Sequence, residues 1–274
     1  MKFNARLTLL AALLALLGTA TGCEFLKSRD QLTKGVAAFK NAQYEQATNF
    51  FQNAVNLDPK NQTAKLYLAT TYASQVVPNL TTPDNLALAQ KAIDGFNAVL
   101  ETDPHDLTAL RQIASIDRNI EKFDLAKEYE QKVIQEAPND PEAYYTISAI
   151  DFNLLHFKNT VPILAADGQT DDGQGNKKMS KSACVKMKAA NTDMVNEEMT
   201  YAQKSIDLNP NYEDAMVYLQ LGYREKANID CGNPTAQKDD LAQADMWVSK
   251  AMGARKANEA EKEKKAATGG VTMQ

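Results

Sequence analysis

Few side chains in this sequence are spaced for chemistry. The closest approach to a cation loop is the acidic run Asp167, Asp171, Asp172 and Asn176, in the glycine-rich stretch from Asp167 to Gly175. It fails as a calcium-binding helix-loop-helix, because Asp172 stands where that loop needs glycine and no glutamate closes it. A solvated polar loop is the expectation. The two histidines, His105 and His156, have no partner at metal-ligand spacing, so no metal site is expected. The sequence shows no glycine-rich phosphate loop, nucleophile elbow or paired-cysteine motif, which argues against an enzyme. No catalytic residue, cofactor or small-molecule substrate is expected. With 35 acidic against 30 basic residues the formal charge is −5, which argues against a nucleic-acid partner, since phosphate binding needs a basic face.

The three cysteines carry the remaining chemistry. Cys23 follows a charged start at Lys2 and Arg6, an apolar run from Leu7 to Leu17, and the small residues Gly18 to Gly22. Residues 1–22 therefore read as a secretory signal, whose apolar run is too short for a permanent membrane span. Its end, Ala20-Thr21-Gly22-Cys23, resembles the lipobox of bacterial lipoproteins, although alanine stands where leucine is usual. That resemblance implies a lipid on Cys23 and an exported protein held on a bacterial membrane facing the periplasm, with the outer membrane favoured. Ala20 and Gly22 also satisfy ordinary signal cleavage, which would give a soluble periplasmic or secreted product. Cys184 and Cys231 form an even pair in an oxidising compartment, and the alternatives are a disulfide or two partly buried thiols. A bond would stabilise by about 4 kcal/mol in the chain-entropy model.

The elements that must position these residues show themselves through proline. Asp58-Pro59, Asp103-Pro104, Ala137-Pro138 and Asn209-Pro210 each close a helical pattern, and Pro104 to Pro138 spans 34 residues. Twelve, eight and five residues before Pro59 stand Ala47, Phe51 and Ala54. The same offsets give Ala92, Phe96 and Val99, then Ala126, Glu130 and Val133, then the degenerate set Glu198, Ala202 and Ser205. Steps of four and three place each set on one helix face.

Gly35, Tyr44, Ala47, Phe51, Ala54 and Pro59 resemble the consensus of the tetratricopeptide repeat family. Ala114, Phe123, Ala126 and Pro138 hold the same frame in the third copy, and Ala244, Val248 and Ala251 in the fifth. The resemblance implies an all-α solenoid of about five helix pairs over residues 23–256. Three inserts interrupt it, near 76–86, 155–193 and 227–239. Residues 257–274 are expected to form a charged capping helix and a flexible tail.

Members of this family bind peptides or helices in a groove lined by the first helix of each pair. Carried over, that face comprises Phe39 and Lys40 in the first copy, and Arg111, Ser115, Arg118 and Asn119 in the third. It continues with Tyr145, Phe152 and Asn153 in the fourth, and Leu221 and Arg224 in the fifth. The second copy offers only Thr70, Ala73 and Ser74. Arg111 and Arg118, two turns apart on one face, suit carboxylates of a partner. The expected function is a membrane-tethered scaffold for envelope proteins. A soluble adaptor, or a ligand-binding accessory acting through the 155–193 insert, are the alternatives.

Overall fold

The computed structural model describes residues 24–267. The signal segment, the lipid-attachment candidate Cys23 and the end of the tail lie outside the described residues. The described elements are all helical. Helix α1 covers residues 24–40 and pairs with α2 (Tyr44–Leu57). Then come α3 (Gln62–Ala73) with α4 (Pro83–Leu100), and α5 (Leu107–Asn119) with α6 (Phe123–Glu136). The fourth pair is α7 (Pro141–Asn153), prolonged by a π-helical stretch (Leu154–Thr160) and α8 (Val161–Ala166), with the long α9 (Lys181–Leu208). The fifth is α10 (Glu213–Ile229) with α11 (Pro234–Ala267). The chain divides into two compact units, one ending at Tyr129 and the other beginning at Glu130.

The recurring polar residue before proline has a local cause. Asp58, Asp103 and Asn209 each accept, through a side-chain oxygen, the N–H two residues on, at Lys60, His105 and Asn211, all at 3.1 Å. This Asx turn reverses the chain, and proline at its centre supplies the fixed φ. Three residues after Asp58, Asp103, Ala137 and Asn209, the N–H groups of Asn61, Asp106, Asp140 and Tyr212 bond back to the carbonyls of those residues. The next helix starts there, and Asn61, Asp106 and Asp140 cap it with their side chains. Ala137 lacks the side-chain bond yet makes the same backbone turn.

All the frame positions before the four prolines are buried, including Glu130, Glu198 and Ser205 in the degenerate copies. In the first unit, Ala47 and Phe51 pack with Ala38, and Phe51 stacks on Tyr67 at 5.3 Å. Gly35 is required here: a Cβ at that position would lie 2.5 to 2.9 Å from the Phe51 ring. A second core joins Ala92, Phe96 and Val99 of α4 to Ile113 and Ile116 of α5. The 76–86 insert closes on the buried Asn85. Its amide accepts from Val77 N at 2.8 Å and donates to the Val77 and Leu80 carbonyls.

In the second unit the 155–193 insert is mostly helix rather than loop. Pro162 has no N–H to continue an α-helical ladder, and the chain widens before it, Val161 N bonding to His156 O five residues back. The widened stretch, α8 and the start of α9 enclose a small core of Leu155, Leu164, Met187 and Val195 with Ile229. Only residues 167–180 form the polar loop. The 227–239 insert likewise lengthens α10 and α11 around a short turn. Residues 257–267 continue α11 without a break, so no separate capping helix forms. Among the described residues no helix is long and apolar enough to cross a membrane.

Candidate partner-binding faces

In the first unit the carried-over face is modest. Phe39 lies edge-on to Tyr44 at 5.6 Å and packs, half-buried, on the Ala47 and Phe51 core. Lys40 is exposed. Thr70 and Ser74 donate their hydroxyls back to the Leu66 and Thr70 carbonyls, leaving that copy little to offer. On α5, Arg111 is exposed, while Ser115, Arg118 and Asn119 are half-buried. The Asn119 carbonyl accepts Asn79 N at 2.8 Å and ties down the first insert.

The second unit carries an aromatic band. Tyr145 and Phe152, seven residues apart on α7, both meet Tyr218 of α10 edge-to-face, at 5.6 and 5.7 Å. Tyr212 continues the band beyond Tyr145 at 5.2 Å. At the other end His156 stacks on Phe152 at 5.2 Å, and Phe157 stands edge-on to His156. Phe157 is 57% exposed and the other five rings are half-buried. Edge-to-face pairs contribute about 0.5 to 1.5 kcal/mol each and hold rings rigid, so the band presents preordered apolar surface. Leu221 follows Tyr218 by three residues and is half-buried beside it. Asn153 donates to the Ala149 carbonyl of its own helix.

Arg224 departs from expectation. Its Nη1 donates to the Gly173 carbonyl at 2.6 Å, Nε to Gln220, and Nη2 to Asp245. Its guanidinium clamps the insert loop instead of facing a partner. Position in the repeat frame placed Arg224 correctly on α10 but could not show that residues 167–180 fold over that helix.

The loop itself is built by its own acids. Asp167 accepts from Ser180 N and from Gln169, bonds that hold its carboxyl below the usual range. Asp172 accepts from the N–H groups of Gln174 and Asn176. Asn176 is buried and donates to Thr170 O, while Gln237 of α11 donates to Gly175 O at 2.7 Å. These carboxylates shape turns, in keeping with the failed calcium spacing. A disulfide joins Cys184, near the start of α9, to Cys231, just past α10, with Cα atoms 5.8 Å apart.

Beneath the loop lies a buried polar network. Glu225 of α10 is buried; its Oε1 pairs with His156 Nδ1 at 2.5 Å and its Oε2 accepts from Thr160 at 2.7 Å. Asn191 donates to Thr160 Oγ1, extending the chain to α9. His156 is raised above its usual range by the bond to Glu225, against the effect of burial, with the charges of Glu225 and Asp171 adding to it. One ligating atom each of His156, Asp171 and Glu225 lies within 4.8 Å of the others, so His156 is not isolated as its sequence neighbours suggested. Farther in, burial pushes the Glu198 carboxyl well up. Ser148 donates to Glu198 Oε1, and Asp151 and Glu225 add like charge. The faint signal was present: His156 follows Phe152 by four residues, though Asp171 and Glu225 come from segments distant in sequence.

No protein-family model matches the chain, and no curated protein resembles it in sequence. Solved structures resemble it in shape. A MamA double mutant from RS-1 superposes with a TM-score of 0.55 at 16% identity, covering 85% of this chain and 97% of that one. Another MamA crystal structure gives 0.55 at 15% identity, covering 90% and 97%. A fragment of MamA from Desulfovibrio magneticus RS-1 gives 0.54 at 16%, covering 84% and 96%. Identities this low speak for the fold alone. With its proline-terminated helix pairs and alanine-aromatic frame, the chain has the tetratricopeptide-type helical repeat fold.

Proposed function

We propose that this protein is a protein-interaction scaffold of the bacterial envelope, exported and held on the membrane by a lipid on Cys23. The observation that carries the interaction reading is the aromatic band of Tyr212, Tyr145, Tyr218, Phe152, His156 and Phe157, built on the first helices of two successive pairs. Aromatic side chains lose little entropy on binding and dominate interface energetics. The partner it suits is a helix or extended segment with apolar anchors at helical spacing. Tethering raises the effective concentration of whatever the band holds. The signal-like segment and the lipobox-like residues motivate the anchor.

A photoreactive residue at Phe157 tests the band, with one at Met252 on α11, equally exposed at 57%, as the control. Adducts from Phe157 and not from Met252 are expected. Tyr218→Ala with Phe152→Ala should weaken the captured partner by about 30-fold or more. Equal adducts from both positions would refute the band. Intact mass of the mature protein tests the anchor separately, since Cys23 without acyl mass makes the scaffold soluble.

A further inference from the structure

The geometry points to a divalent transition-metal site of the zinc class formed by His156, Asp171 and Glu225. These three bring together the π-helical stretch, the insert loop and α10, and one ligating atom from each is within 4.8 Å of the others. A zinc ion with bonds of about 2.0 Å holds its ligand atoms about 3.3 Å apart, so Asp171 closes in while the 2.5 Å contact between His156 Nδ1 and Glu225 Oε1 opens around the ion. One imidazole with two carboxylates is a donor set that suits zinc, and the harder cation calcium prefers oxygen alone.

Three further observations support the assignment. The Glu225 carboxylate is already held in place: Thr160 donates to its Oε2 at 2.7 Å, Asn191 holds Thr160, and Asn228 Nδ2 sits 3.5 Å from the same oxygen. Charge converges on one ring, since the Glu225 carboxylate bonds His156 and the charge of Asp171 also acts on it. Third, the amide oxygens of Asn191 and Asn228, both buried, have no hydrogen-bond partner, so polar capacity remains beside the Glu225 carboxylate. Asp171 spends one oxygen on Gly173 N at 3.1 Å and keeps the other.

Metal here would fasten the insert loop to the core. It would also fix the ring of His156, which stacks on Phe152. The site thus sits at one end of the aromatic band without depending on the band's role.

Isothermal titration of the chelator-stripped full chain with zinc chloride is the test, with calcium chloride in parallel. One zinc ion per chain is expected, with calcium unable to compete. Asp171→Asn, on the surface loop, and His156→Ala should each weaken zinc by about tenfold or more while circular dichroism stays unchanged. Cobalt in place of zinc should give visible absorption that Asp171→Asn removes. No zinc binding, or zinc affinity indifferent to both substitutions, overturns the site.

Discussion

Removing the Cys184 to Cys231 bond should cost the second unit about 4 kcal/mol. The bond closes a loop of 47 residues, and the entropy returned to the unfolded chain by opening it corresponds to that figure at 25 °C. It spans the polar loop's exit, the start of α9 and the end of α10, which otherwise meet through the small core around Met187 and Ile229. The double variant Cys184→Ser with Cys231→Ser avoids a stray thiol. Trp247 is the sole tryptophan and is buried in the core of α9, α10 and α11, so its fluorescence follows the second unit by itself. With a urea slope of about 2 kcal/mol per molar, the midpoint should fall by about 2 M. Reductant should lower the unsubstituted chain's midpoint by the same amount and leave the variant's unchanged. A shift of only a few tenths molar, with the bond verified as formed, would refute the reasoning: the unfolded chain would not be gaining the expected freedom.

In the first unit, Gly35→Ala forces a methyl against the Phe51 ring and should destabilise by about 1 to 3 kcal/mol despite alanine's better helix propensity. A raised urea midpoint by circular dichroism would contradict it. Asp117 is buried on α5, and burial pushes its carboxyl up to about 6 against the opposing effect of Lys122. The folded value lies above the unfolded one, so the native state holds this proton more tightly. Stability from this group is greatest below about pH 4, declines between about pH 4 and 6, and stays low above that. The full shift corresponds to about 3 kcal/mol, and solvent screening reduces it to about 1 to 2. Asp117→Asn should therefore stabilise at pH 7 and have little effect at pH 4, as read from thermal midpoints at both. An equal gain at both pH values would remove the charge from the explanation.

The helix pairs were legible because proline and small residues impose requirements that act within a few residues. Asp58, Asp103 and Asn209 bond to the N–H two positions on, and Ala47, Phe51 and Ala54 share a face by arithmetic alone. Tyr145 and Phe152, seven residues apart, fall on one face of α7 by the same arithmetic. The inserts were not, since polar glycine-rich composition at 167–175 masks the fully buried Leu155, Leu164 and Met187 on either side. His156 and Arg224 escaped because their roles are set by Glu225, Asp171 and Gly173, brought near by tertiary folding. Such contacts leave no period in sequence.

Glu198 stands at the frame position that alanine fills in the first three copies, and it fits because Gly222 on the facing helix has no side chain; a Cβ there would run into Glu198 Oε2. The two residues work as lock and key. Alanine at 198 would leave a void, and any larger residue at 222 would evict the glutamate. Repeat proteins are often treated as strings of exchangeable modules, but here the fourth module is keyed to the fifth. A graft or a duplication that cuts between residues 198 and 222 would separate the pair, so the last two copies must be moved, lost or redesigned as one piece.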